Sequence, residues 1–463
     1  MTGRASRPNA CVREPPCHVT PARERTRREA VGSMRAAGPP PGEDRQMTEP
    51  RAVARPKVCM VSYGESNTTL PPMFNEALSL AEAGFEVESI ALAASPGGPM
   101  VETYAAGFST RRFHLRTRGF FHARLGHSVA NPAVAALQYV LSYAEFVARA
   151  AVRAWRSRAD AYTAHDLPAL LPTLLAAKAR GRPLVYRAHE LYPETHARVR
   201  FAWFWRLLDR VLVPRCDEVV TPDDNRSRIY REELGARSPP LTVRNCPPYR
   251  PPVESTRLRD ELSRRGVACS TIVLYQGLVD SMRCIEEIAE ASRHFDDGVV
   301  LVIMGGGFGA WADPGARLAD HARIVVLPPV PYRELAPYTA SADVGVLLYR
   351  NDCRNNYYCA PNKLFEYMMM GLPVVAPSFP GMARIVAGDD VGLCVDPSRP
   401  EEIAAAVNRL ARDPAARARM RANGLRLSQE RYNWRVESEP LLERYRALVA
   451  ERRTTAPSTG ELA

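Results

Sequence analysis

Phosphate-handling chemistry is most legible in one segment, Pro361-Asn362-Lys363-Leu364-Phe365-Glu366-Tyr367, which runs through Gly371 into Pro373-Val374-Val375-Ala376. Pro361 suits a first helical position, where its missing N–H is not needed, and Gly371 suits the helix end. On such a helix Asn362, Lys363 and Glu366 share one face, while Leu364, Phe365, Met368 and Met369 turn towards a core. A cation near a helix N-terminus can hold a pyrophosphate, and a carboxylate one turn deeper can accept hydrogen bonds from ribose hydroxyls. Taken alone, Lys363 and Glu366 more often make an ordinary surface ion pair. Two facts favour a ligand: the helix is otherwise apolar, and the chain holds only three lysines, Lys57, Lys178 and Lys363, against 59 arginines.

Other candidates are weaker. Tyr162-Thr163-Ala164-His165-Asp166 puts His165 at a strand end, a place where histidine is more often structural than chemical. His189-Glu190 ends the next strand and Gly64 follows the first, so all three fall on one edge as possible cleft or acceptor residues. Gly305-Gly306-Gly307-Phe308-Gly309 approximates a dinucleotide fingerprint, but no acid ends the following strand, Ile324–Leu327, which argues against nicotinamide. No Asp-x-Asp occurs, no metal site is read, and Asp223-Asp224 and Asp389-Asp390 suit helix caps or turns.

These residues need elements to position them. Expected strands are Val58–Ser62, Glu86–Leu92, Thr110–His114, Ala161–Ala164, Leu184–Arg187, Glu218–Thr221 and Leu241–Arg244, then Thr271–Tyr275, Val299–Met304, Ile324–Leu327, Val344–Leu348, Pro373–Ala376 and Gly392–Val395. Helical patterns such as Met73–Ala83, Pro168–Ala179 and Trp203–Leu212 fall between them, and Pro172 leaves the start of the second uncertain by a turn. The alternation predicts an α/β protein with two Rossmann-like doubly wound domains facing across a cleft. Residues 1–55, rich in Arg and Pro, are expected to be disordered; 56–250 are expected to form the N-terminal Rossmann-like domain and 251–433 the C-terminal one. Residues 434–453 form a helix returning towards the first domain, and 454–463 a flexible tail. Asn245 to Pro252 is a Pro-rich linker.

Net charge +11 is spread too thinly outside the N-terminal extension to suggest nucleic acid. Ten cysteines without a C-x-x-C fit a reduced, cytoplasmic chain, and no apolar run is long enough to span a membrane. Arg111 to Arg124 mixes aromatics with arginines and reads equally as a solvated loop or as a contact with anionic lipid. Phe201 to Leu208 reads as an aromatic core helix in preference to a membrane face.

Pro361 to Ala376 closely matches a P-N-K-x-x-E-Y-x-x-x-G-x-P-V-V block, preceded in order by Tyr275-Gln276-Gly277, Arg283, Met304-Gly305-Gly306-Gly307 and Val330 to Leu335. In these blocks, over about residues 57–453, the chain resembles the GT-B glycosyltransferases, specifically family 4 of the retaining enzymes. The resemblance implies that Arg283 and Lys363 hold a donor diphosphate and Glu366 the ribose. It also implies that Gly277 and Gly305, with Asn362, admit the donor, and that His165 lies against the transferred sugar. The implied reaction is metal-independent and retaining and needs no cofactor beyond the nucleotide-sugar donor; the implied acceptor is a hydroxyl of a glycan, lipid-linked glycan or small molecule. An enzyme at the inner face of the membrane, in peripheral contact with anionic lipid, is compatible with this. One departure stands out: the family often carries a first Glu eight positions before Glu366, and this chain has Tyr358. Rival expectations are an epimerase or hydrolase of the same fold, and a non-catalytic nucleotide-sugar-binding subunit.

Overall fold

β-Branched runs that are buried on both faces give the chain two parallel sheets. The computed structural model describes residues 55–64, 71–93, 98–105, 107–125, 131–195 and 200–454. The expectations for 1–54 and for 455–463 lie outside the described residues.

The first sheet contains β1 (Lys57–Ser62), β2 (Glu86–Leu92), β3 (Val101–Ala105), β4 (Phe108–Phe113), β5 (Ala161–His165), β6 (Leu184–Arg187), β7 (Glu218–Thr221) and β8 (Leu241–Thr242), in the order β3-β4-β2-β1-β5-β6-β7-β8. Every pairing is parallel except β3 on β4. The second sheet contains β9 (Thr271–Gln276), β10 (Val299–Met304), β11 (Ile324–Leu327), β12 (Val344–Val346), β13 (Val374–Pro377) and β14 (Gly392–Val395), in the all-parallel order β11-β10-β9-β12-β13-β14. Each sheet is covered on both faces by apolar clusters.

Several expectations are corrected. β3 was not anticipated, because Val-Glu-Thr-Tyr-Ala is a polar edge strand with no buried run. β8 stops at Thr242 and β12 at Val346, short of Arg244 and Leu348, since the ladder ends before the apolar run does. The Arg111 to Arg124 stretch is no loop: it finishes β4 and then forms the helix Arg116–Leu125. The longest helix, Pro132–Ser157, also escaped the sequence reading, because apolar side chains on its outer as well as its inner face blur the helical period. Pro172 does lie inside the helix Leu167–Arg180. It removes the donor that the Pro168 carbonyl would accept, and Tyr143 Oη donates to that carbonyl at 3.3 Å instead.

The helix Trp434–Thr454 lies on the first sheet, where Trp434, Leu441, Tyr445 and Leu448 join the cluster around Val58 and Met60. Burying each such side chain contributes about 1.5–3 kcal/mol. Tyr445 Oη donates to Glu76 Oε1 at 2.8 Å, and Glu76 Oε2 meets Arg187 Nε at 3.0 Å in a fully buried ion pair. The second half of the chain is thereby tied to the first by its last helix as well as by the linker.

Candidate active site

The site is built where the carboxyl ends of the two sheets meet. Helix Asn362–Met369 begins beside the ends of β9 and β12; Pro361 sits just before it in extended conformation (ψ 155°), one residue outside the position expected. Its apolar face, Leu364, Phe365 and Met368, is buried in the second sheet's core, which turns Lys363 and Glu366 towards the cleft side. Lys363 Nζ lies 3.4 Å from Tyr275 Oη and 4.7 Å from the centre of that ring. Burial, then the nearby Arg283 guanidinium, pulls the Lys363 pKa down to about 7, against the opposing pull of Glu366 and Asp280. Arg283 closes a 3-10 turn, Ser281–Arg283, and is separated from the next helix, Ile285–Ser292, by Cys284 in left-handed conformation (φ 54°). Its guanidinium stacks 4.1 Å from the Tyr349 ring and reaches Asp280 only at 4.0 Å. Among the described residues Arg283 Nε has no hydrogen-bond partner. Two cations that repel one another and are poorly neutralised are costly unless an anion joins them.

Gly277 has φ +114°, which strains any other residue, and a Cβ there would stand 2.5 Å from Lys363 Nζ and displace the end of the lysine from its place. A Cβ on Gly305 would overlap the Gly277 carbonyl; its smallness serves the packing of one strand end against the next. Glu366 Oε2 accepts from Gln276 Nε2 at 3.0 Å, and Gln276 Oε1 accepts from Thr339 Oγ1 at 2.8 Å, which holds the carboxylate in one orientation. Burial raises the Glu366 pKa, opposed chiefly by Lys363. Asn362 and Glu366 line a cavity of about 380 Å³ with Phe74 and Asn75 of the first domain and Arg250 and Tyr332.

Across the cleft, His165 ends β5 fully buried, its Nδ1 3.0 Å from His189 Nε2 with the rings stacked at 5.3 Å. Burial, then Arg187, drives the His165 pKa down to about 3, so the ring is neutral. Its Nε2 is buried without a partner among the described residues. Asp166 takes a strained positive φ of 61° and accepts the His189 N–H at 3.0 Å. Burial, then Glu190, lifts its carboxyl to about 7. Glu190 is exposed, and Gly64 lies just past β1 beside Tyr63. The structure therefore gathers Lys363, Arg283, Gly277, Gly305 and Glu366 on one wall, and His165, His189 and Glu190 on the other.

Sequence reasoning missed the residues that join the walls. Arg226 is buried; its Nη1 donates to the His189 carbonyl at 2.6 Å and its Nη2 to the Asn355 carbonyl at 2.7 Å. Asn355 Oδ1 in turn accepts the Leu191 N–H at 2.9 Å. No local pattern marks Arg226 among so many arginines; only its burial does. Tyr358, at the position of the family's first Glu, packs its ring against the core of the first domain. Tyr275, Gln276, Tyr349 and Arg250 likewise carry no signal in the sequence that singles them out as site residues.

Two parallel α/β sheets with a cationic helix N-terminus at their facing edges define a GT-B fold. Residues 270–413 match the model "Glycosyl transferases group 1" and residues 75–246 the model "Glycosyl transferase 4-like domain". The chain belongs to these family 4-type glycosyltransferases of the GT-B fold. It is 30% identical over 212 residues to D-inositol 3-phosphate glycosyltransferase of Xylanimonas cellulosilytica, covering 42% of this chain and 48% of the relative. It is 27% identical over 315 residues to the protein of that name from Nocardiopsis dassonvillei, covering 60% and 68%. The matches thus span about half to two thirds of the relatives. Among solved structures, sucrose-phosphate synthase from Thermosynechococcus elongatus superimposes with TM-score 0.68 at 17% identity, covering 86% of this chain and 100% of that one. Anabaena HepE in complex with UDP and glucose superimposes with TM-score 0.63 at 15% identity, covering 85% and 100%. Among the described residues no helix is long and apolar enough to cross a membrane.

Proposed function

We propose that this chain transfers a sugar from a nucleoside-diphosphate sugar to an acceptor hydroxyl, with retention of anomeric configuration and without a metal. The observation that carries the reading is two cations at the N-terminal end of helix Asn362–Met369 that, among the described residues, lack a carboxylate in close contact: Lys363, against Tyr275, and Arg283, stacked on Tyr349 with its Nε unpartnered. As the anomeric C–O bond breaks, its electrons pass to the leaving phosphate, and fixed cations there favour the transition state over the ground state. The acceptor oxygen bonds to the anomeric carbon on the same face, and its proton passes to the departing phosphate oxygen, so no protein base is required. Glu366, oriented by Gln276, accepts the ribose hydroxyls, with the pocket of Tyr332, Leu335, Ala336 and Met370 beyond it for the base. Neutral His165 offers its free Nε2 to a sugar hydroxyl.

Curated relatives carry the name of an inositol-phosphate glycosyltransferase and a structural neighbour holds UDP and glucose, which supports nucleotide-sugar use. The test is transfer from a panel of nucleotide sugars to hydroxyl acceptors by wild type, Lys363→Ala and His165→Ala. Lys363→Ala is expected to lose donor binding; His165→Ala keeps binding and loses turnover. Unchanged binding and transfer in Lys363→Ala overturns the site. Fast release of free or epimerised sugar without acceptor favours a hydrolase or epimerase, and binding with no turnover on any acceptor favours a binding subunit.

A further inference from the structure

The outer face of the first domain leaves large apolar side chains exposed. On helix Pro132–Ser157 the exposed positions Ala133, Leu137, Val140, Leu141, Ala144, Ala148, Val152 and Trp155 recur at helical spacing and are apolar, with Arg156 the exposed charge at the helix end. That stripe is about 33 Å long at about 1.5 Å per residue. Beside it, helix Ala202–Leu212 exposes Trp203, Leu207 and Val211 on one line. The two helices touch on their inner sides through Tyr143 and Trp205, whose rings are 5.0 Å apart. The degree of exposure is unusual for such residues: Trp203 69%, Phe120 58%, Leu137 54%, Leu207 54%.

Charge identifies the occupant. The helices Arg116–Leu125, Pro132–Ser157, Leu167–Arg180 and Ala202–Leu212 hold ten basic side chains and two acidic ones, Glu145 and Asp209. Asp209 is buried, and Glu145 is engaged by Arg149 and by the Arg116 and Thr117 N–H groups. These four helices thus carry a net excess of eight cations, concentrated on one part of the chain. Arg206 and Arg210 flank the Trp203–Leu207–Val211 line, and exposed rings carry their own cations: Arg180 4.4 Å from Trp155 and Arg124 5.4 Å from Phe120. A second copy of this chain would set cations against cations, whereas an anionic bilayer satisfies the arginines and takes up the apolar rings. The face also reaches the cleft, for Arg118 Nη2 donates to Tyr63 Oη at 3.1 Å, next to Gly64.

We infer that this face docks the protein peripherally on an anionic lipid surface, with helices Pro132–Ser157 and Ala202–Leu212 lying in the headgroup plane. Docking there sets the cleft edge at the bilayer and makes a lipid-borne hydroxyl the class of acceptor, an extension that rests on the transfer reading; the docking itself does not.

The test is flotation of the full chain with vesicles of mixed phosphatidylglycerol and phosphatidylcholine, and of phosphatidylcholine alone. Wild type is expected to float only with the mixed vesicles, and less so in high salt. Trp203→Ser with Leu207→Ser, and separately Arg206→Ser with Arg210→Ser, are each expected to lower binding roughly tenfold or more. Because these side chains are exposed, both variants should keep wild-type melting temperature and nucleotide binding. Absence of vesicle binding by wild type, or equal binding by folded variants, overturns docking while leaving donor binding to be judged separately. A dimer in light scattering that the Trp203 and Leu207 changes dissolve assigns the face to a second copy and also overturns it.

Discussion

Lys363 titrates near neutrality in the free protein, so donor affinity should depend on pH in a calculable way. With a pKa of about 7, set by burial and by Arg283, the side chain is mostly charged at about pH 6 and about nine-tenths neutral at about pH 8. Beside two ionised phosphates the charged form is favoured and the pKa returns towards the ordinary lysine value. Only the protonated form binds well, so affinity is complete below the free pKa and is lost as pH rises through it. The expected fall is roughly tenfold between about pH 6 and about pH 8, with uptake of about 0.9 proton per ligand bound at the upper end. The ligand must be a nucleotide sugar, whose phosphates do not titrate in this range, and not a nucleoside diphosphate. Titration calorimetry in buffers of different ionisation enthalpy measures both quantities. Lys363→Arg, which cannot lose its proton, should bind with flat pH dependence and no proton uptake. A flat wild-type profile, or an equal slope in Lys363→Arg that would point to Asp166, refutes the reasoning.

Gly277→Ala should weaken nucleotide binding through strain at φ +114° and collision with Lys363, whereas Gly305→Ala should cost fold stability, on the order of 1–3 kcal/mol, by collision with the Gly277 carbonyl. Gly306→Ala, whose Cβ would meet nothing nearer than Pro329 at 3.7 Å, is the neutral control in calorimetric melting. Arg187→Leu should destabilise the chain by roughly 3–5 kcal/mol in urea unfolding, since it leaves Glu76 buried and unpaired, and adding Glu76→Leu should recover much of that loss. Burial, then Glu194, raises the Asp209 carboxyl to about 8. A raised carboxyl pKa means the folded state holds a proton the unfolded state has lost, so stability falls as pH rises from the unfolded value to about 8. Asp209→Asn should remove that dependence, its advantage over wild type growing by up to roughly 1.4 kcal/mol per pH unit across that window; equal pH dependence in urea denaturation of the two proteins refutes it.

The alternation of β-branched runs with helices determined the two-sheet architecture locally, because a strand buried on both faces must be apolar wherever it occurs. The Asn362-Lys363…Glu366 spacing determined the cationic wall of the cleft for the same reason: it depends on a single helix, whose apolar face dictates which side chains are turned towards the cleft. Local rules failed where partners come from far along the chain. Arg226, the orphaned Nε2 of His165 and the inward-packed Tyr358 acquire their character only from elements brought in by the fold. The outer face of helix Pro132–Ser157 is the converse case. Apolar letters read as core until the tertiary structure leaves them uncovered, since burial is a property of what packs against a residue and not of the residue itself.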